Sequence, residues 1–245
     1  MESGFPTPPR GKLAVEYLGH SGIVLVSDQG TKVAIDPYLT DTVPLTRISP
    51  VVCLPEDLNV DHVLLTHDHS DHTDPNTCLP IMRTRAVSFW GPPSSMSVLR
   101  SSGARADRLH KLERGATVQL RDITVMAVHA QHTADSVGYV LRVSGRWVYH
   151  VGDTEEAPEL YWLHDRHVEL LFTCFSGRWE AIDATQAAAL AKALDVRYVV
   201  PVHHDTFAEN RADPESLISA VKSRPDCHAE VRVLRPGDRW VYPEG

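Results

Sequence analysis

The run Thr66-His67-Asp68-His69-Ser70-Asp71-His72 gathers three imidazoles and two carboxylates into seven residues, directly behind the apolar stretch 62–65. Imidazole nitrogens and carboxylate oxygens at alternating positions are donors for first-row divalent metals, and a loop at a strand end can hold them still. One buried histidine is ordinarily a hydrogen-bonded core residue. So many polar rings together would leave desolvation costs unmet unless they bound something, so the cluster reads as metal-binding. Fourteen histidines in 245 residues point the same way, toward metal or proton chemistry.

The elements needed to position such a loop are legible around it. Strand-like runs occupy 13–18, 23–26, 33–35, 62–65 and 86–90, with hairpin connections at Gly19-His20-Ser21-Gly22 and Asp28-Gln29-Gly30. Gly91-Pro92-Pro93 leads into a helix. The middle reads as β, over 117–120, 123–128, 137–143 and 147–151, with Ser144-Gly145 as a turn. The last third alternates: a helix over 156–163, a strand over 168–172, then a helix capped by Asp183. Gln186 completes a capping box there, and Ala187, Leu190, Ala191 and Leu194 share one face. A strand over 197–202 ends at His203-His204-Asp205, and Asp213-Pro214 starts another helix. The runs 231–234 and 240–242 close the chain as a hairpin around Pro236-Gly237. Two β-rich halves, each carrying helices, predict two sheets face to face with helices outside.

Residues 13–245 read as one domain, and 1–12, with Pro6, Pro8 and Pro9, as a flexible tail. With 24 Lys and Arg against 32 Asp and Glu, the net charge of −8 disfavours nucleic acid and anionic lipid as partners. No stretch approaches the roughly 20 apolar residues of a membrane span, and the start lacks the apolar segment of a signal peptide. The expected location is cytoplasmic. Cys53, Cys78, Cys174 and Cys227 are scattered and make no Cys-x-x-Cys pair, as expected of reduced, mostly buried thiols.

His67-x-His69-x-Asp71-His72 resembles the signature of the metallo-β-lactamase superfamily, and later segments match its remaining motifs in order. His132, in Gln131-His132-Thr133-Ala134-Asp135-Ser136, is similar to the third-histidine motif; Asp153, in Val151-Gly152-Asp153-Thr154, to the bridging aspartate; Pro201-Val202-His203-His204-Asp205 to the final histidine motif. Tyr17 to Gly22, Ile35-Asp36-Pro37-Tyr38 and Asp213-Pro214 are most similar to the branch containing L-ascorbate-6-phosphate lactonase and related metal-dependent hydrolases. The resemblance implies a four-layer αβ/βα sandwich, an α/β fold of two mixed sheets with a dinuclear site along one edge. It implies one metal held by His67, His69 and His132, and another by Asp71, His72 and His203, with Asp153 reaching both. Asp71 would also be the catalytic carboxylate, orienting a metal-bridging hydroxide and moving a proton. The two divalent ions would be Zn²⁺ or Mn²⁺, with Fe²⁺ also compatible.

Three further residues are candidates. Asp36 reads as an acceptor that orients a ligand imidazole or as a turn residue, His204 as a pocket or packing residue, and Arg178 as a grip on an anionic group or as a solvated side chain. His20 reads equally as a site-edge or an ordinary turn histidine, and His129 and His150 as core or supporting histidines. The expected activity is hydrolysis of a lactone or similar ester of a small anionic metabolite, in a chain that can form a homo-oligomer. Phosphodiester hydrolysis is the alternative chemistry, and a non-catalytic metal-binding regulatory module the alternative class.

Overall fold

Apolar, β-branched segments separated by short glycine turns make the first meander: β1 (Leu13–Gly19), β2 (Gly22–Val26) and β3 (Lys32–Ile35) pair antiparallel. They open the computed structural model, which describes residues 6–176, 178–179 and 181–244. β4 (His62–Leu64), β5 (Ser88–Gly91) and β6 (Leu109–Lys111) then add in parallel. Parallel additions need crossovers: the stretch 36–61, with a 3₁₀ turn at Pro55–Asp57, leads from β3 to β4, and α1 (Pro75–Thr84) and α2 (Pro93–Ser101) supply the next two.

The second half repeats the plan. β7 (Thr117–Leu120), β8 (Ile123–His129), β9 (Val137–Val143) and β10 (Arg146–His150) are antiparallel. β11 (Leu170–Cys174), β12 (Tyr198–Val202) and β13 (Glu230–Val231) follow in parallel, with α3 (Ala184–Ala193) and α4 (Pro214–Lys222) between them. β14 (Arg239–Tyr242) returns to β1, giving the orders β14-β1-β2-β3-β4-β5-β6 and β13-β12-β11-β10-β9-β8-β7.

Three apolar layers hold four structural layers together. Tyr17, Ile35, Leu64, Tyr139, Phe172 and Val202 pack between the sheets. Leu171, Leu190, Leu194 and Leu217 fill the space beneath α3 and α4, and Val63, Ile81, Phe89 and Leu99 that beneath α1 and α2. Strands covered on both faces need apolar residues at every position, and β2 and β11 are buried throughout. Among the described residues no helix is long and apolar enough to cross a membrane.

The Asp183 cap forms as expected: its carboxylate accepts from the Gln186 amide at 2.8 Å while Gln186 Oε1 accepts from the Asp183 amide at 2.9 Å. Two expectations fail. Residues 231–234 and 240–242 do not pair as a hairpin, because β13 joins β12 while β14 joins β1 in the other sheet. Each sheet had an edge strand to satisfy, and the chain crosses between them near Gly237, whose amide donates to Tyr17 O at 2.7 Å. The helix expected over 156–163 is only a 3₁₀ turn, Pro158–Tyr161. Ala157, Leu160 and Leu163 are all buried at a spacing of three, the period of that tighter helix. α1 was not foreseen; Asp74 caps it by accepting from the Asn76 amide, with Pro75 in the first turn. Residues 1–5 of the expected tail lie outside the described residues; within 6–12, Pro8 is buried and the Gly11 amide donates to Asp28 Oδ2 at 2.7 Å.

Candidate metal centre

The candidate residues come together at strand ends along one rim of the sandwich. His67 follows β4, His132 follows β8, Asp153 follows β10 and His203 follows β12. Close backbone packing sets this rim. Gly152, at φ +69°, lies so near Val137 O that a Cβ there would sit 2.8 Å from it and 3.2 Å from Thr66, so only glycine delivers Asp153 to this place. The loops are tied as well: the Gln131 amide donates to Thr154 Oγ1 at 2.9 Å and the Glu155 amide to Gln131 O at 2.9 Å.

One donor set is His67, His69 and His132, whose ligand atoms lie within 4.8 Å of one another. His67 is fully buried, His132 half-buried and His69 exposed, so this set opens to solvent. The Thr66 hydroxyl donates to Asp36 Oδ2 at 2.5 Å, so it can only accept from His67 Nδ1, 3.0 Å away. That arrangement leaves the His67 Nε2 lone pair facing the centre.

The other donor set is Asp71, His72 and His203, joined by His20 within the same 4.8 Å. Asp36, fully buried directly after β3, lies 2.8 Å from His72 Nδ1 and also accepts from the Thr66 amide at 2.8 Å. The carboxylate therefore orients His72 with Nε2 toward the centre. His203 Nδ1 lies 3.1 Å from the Asn210 side-chain nitrogen. Asp153 Oδ2 stands between, 3.4 Å from His72 Nε2 and 3.0 Å from His203 Nε2.

Electrostatics at this rim is dominated by burial and by charge across it. Burial pulls the His72 ring down, but the Asp153 and Asp36 carboxylates overcome it and hold its pKa well above the usual range. Burial and the neighbouring His72 hold His67 well below. Asp153 and Asp71 resist burial: His203 and His72 hold Asp153 well below the usual carboxylate range, and His20 and His72 do so for Asp71. Even so, His67 Nε2 and Asp153 Oδ1 are buried without a hydrogen-bond partner, and His72 Nε2 and His203 Nε2 have only Asp153 Oδ2 beside them. Four buried ligand atoms converge here, two of them with no polar partner, and divalent cations would remove that desolvation cost. The residues present fit a metal centre.

A cleft of about 440 Å³ opens over these groups, lined by His69, Asp71, His132, Asp153, Trp179 and His203. Arg178 is exposed, with Nη1 3.4 Å from Glu209 O; its neighbour Trp179 lines the cleft instead. Nothing in the local sequence places Trp179 at the cleft. His204 is buried edge-on to Phe175, with Nδ1 3.2 Å from Asp205 Oδ2, and is not among the lining residues. His150 is a bracing residue: its Nδ1 accepts from the Gly152 amide at 3.2 Å and its Nε2 lies 3.0 Å from Ser21 O. His20, 1% exposed, was left open by the sequence and lies 3.1 Å from Asp71 Oδ2.

Residues 31–204 match the family described as the beta-lactamase superfamily domain. A UPF0173 metal-dependent hydrolase of Anaeromyxobacter sp. (strain K) is 31% identical over 256 aligned positions, covering 96% of this chain and 89% of that protein. One from Hyperthermus butylicus is 30% identical, covering 93% and 99%. A solved metallo hydrolase from the archaeon Ignicoccus hospitalis superposes with a TM-score of 0.79 at 27% identity, covering 96% of this chain and all of that one. These matches, over a chain whose histidines and aspartates converge at the strand ends, show that it belongs to the metallo-β-lactamase superfamily, among the UPF0173 metal-dependent hydrolases.

Proposed function

We propose that the protein is a dinuclear metal-dependent hydrolase that opens a lactone or similar ester of a small anionic metabolite. The observation that carries this reading is Asp153, whose buried, unpartnered Oδ1 lies where the two donor sets meet. His67, His69 and His132 would hold one cation and Asp71, His72 and His203 the other, with Asp153 shared. When bound, such ions acidify a water toward neutrality and place positive charge where an attacked carbonyl oxygen becomes negative. Zn²⁺ and Mn²⁺ both suit imidazole and carboxylate donors, and Fe²⁺ fits as well.

The chain supplies orientation and proton transfer. Asp71 lines the cleft with its side chain about one-fifth exposed. It takes the proton from the attacking water and passes it to the alkoxide oxygen released when the ester C–O bond breaks. Asp36 and Thr66 keep the His72 and His67 rings from turning, so the donor geometry is set before substrate arrives. Trp179 offers an apolar face at the mouth of the cleft. Metal-loaded protein assayed against simple lactones beside bis-p-nitrophenyl phosphate tests the reading. Lactone opening is expected, and turnover of the phosphodiester alone would replace it with the phosphodiesterase reading.

Arg178, exposed beside the cleft-lining Trp179, is the cationic side chain proposed to favour an anionic substrate. Arg178→Ala should raise KM for a carboxylate-bearing lactone by roughly threefold to tenfold, the effect of losing about 1 kcal/mol from an exposed charge pair, with kcat unchanged. A neutral lactone should show no change. Equal effects on both substrates would remove the arginine from substrate recognition.

A further inference from the structure

We infer that His20, outside the seven proposed ligands, is a positioning residue that fixes the Asp71 carboxylate and the His203 backbone relative to each other; this rests on the dinuclear reading. The turn joining β1 and β2 makes the contact. His20 adopts φ +56°, a left-handed conformation that a non-glycine residue enters at a cost, so the surrounding contacts must hold it there. Its carbonyl accepts from the His203 amide at 2.7 Å and from the Tyr17 hydroxyl at 2.8 Å. His203 itself has φ +62°. Two left-handed residues on different sheets are thus locked together by one short backbone hydrogen bond.

The ring does the second half of the work. His20 Nε2 lies 3.1 Å from Asp71 Oδ2, and the ring centroid lies 4.2 Å from that of His203 and 5.2 Å from that of His72. Tyr38 and Phe207 pack on it, with ring centroids at 5.7 and 5.5 Å. An ionised carboxylate only accepts, so the ring proton sits on Nε2 and points at Asp71. His20 Nδ1 is then a bare lone pair, consistent with its burial without a hydrogen-bond partner. One Asp71 oxygen is occupied by this bond, which fixes the direction of the other. A carboxylate that must both bind a cation and move a proton needs such a restraint, because it otherwise rotates among several orientations. The chain invests a strained backbone and a fully enclosed ring in this contact, although His20 lies outside the cleft lining.

Two variants test it. His20→Phe keeps the ring volume against Tyr38 and Phe207 but removes the donor, whereas His20→Gln carries an amide N–H toward the Nε2 position. Mn²⁺ titrations of the purified full chain, followed by calorimetry, read the affinity of each ion, and steady-state assays read kcat and KM. His20→Phe should still fill with two ions at saturation, but bind the weaker one about 10–100-fold less tightly, with kcat falling more than KM changes. His20→Gln should recover most of both losses. Wild-type affinity and kcat in His20→Phe would overturn the inference alone. So would loss of a whole ion from both variants at saturation, which would make His20 a ligand. Wild-type protein that never binds two ions would overturn the inference together with the dinuclear reading.

Discussion

Asp153→Ala is expected to lose one metal equivalent per chain and to drop kcat by at least about 10²–10³-fold, the scale seen when a group that stabilises transition-state charge is removed. The reason is geometric. Among the described residues Asp153 is the one carboxylate within reach of both donor sets, with Oδ2 3.0 Å from His203 Nε2 and Oδ1 buried and unpartnered. Without it, the His72 and His203 rings lose the negative charge between them, and two cations would face each other with no shared counter-charge. Elemental analysis and initial rates on the same preparation measure both effects, with circular dichroism to show that the fold survives. An Asp153→Ala protein that holds two ions and turns over at the wild-type rate would remove the shared-carboxylate role.

Asp36 should show a comparable effect by a different route. Its carboxylate lies beside His72 Nδ1 at 2.8 Å and accepts from the Thr66 amide at 2.8 Å and the Thr66 hydroxyl at 2.5 Å, all fully buried. Asp36→Ala leaves three buried groups without their acceptor and should cost about 3–5 kcal/mol of stability, as when one partner of a buried pair is removed. Asp36→Asn separates fold from function. Asparagine tolerates the φ of +42° at this position, but its amide group points protons at groups that already donate. The His72 ring then turns or changes tautomer, and metal affinity should fall about 10–100-fold while the melting temperature falls far less than in Asp36→Ala. Thermal unfolding and metal titration of the two variants check this. Equal metal affinity in Asp36→Asn and wild type would show that Asp36 serves the fold alone.

The candidate site was more legible in the sequence than the path of the chain around it. His67, His69, Asp71 and His72 fall within one loop, so their chemistry is a local property, and the Asp183 and Asp213 caps are local for the same reason. The pairing of β13 and β14 is not local. The apolar runs flanking Gly237 suit a hairpin as well as two separate edges, and only the unpaired edges of β1 and β12 decide between them. α1 was hidden by Pro80 inside it, which interrupts a helical pattern read from sequence. His20 and Trp179 were obscured by distance: His20 meets its partner Asp71 51 positions away, and Trp179 meets the cleft only after β11 has joined the second sheet. No spacing rule reports contacts of that range.

Two cations are proposed to sit between the His67, His69, His132 set and the Asp71, His72, His203 set, with Asp153 shared, because these side chains converge there. Metal counting by elemental analysis, run through chelation and then stepwise Zn²⁺ or Mn²⁺ return with lactone hydrolysis followed throughout, tests it most directly. Two equivalents per chain at saturation are expected, with activity lost on chelation and restored as the second ion returns. Full hydrolysis by metal-free protein, or saturation at a single ion, would contradict it.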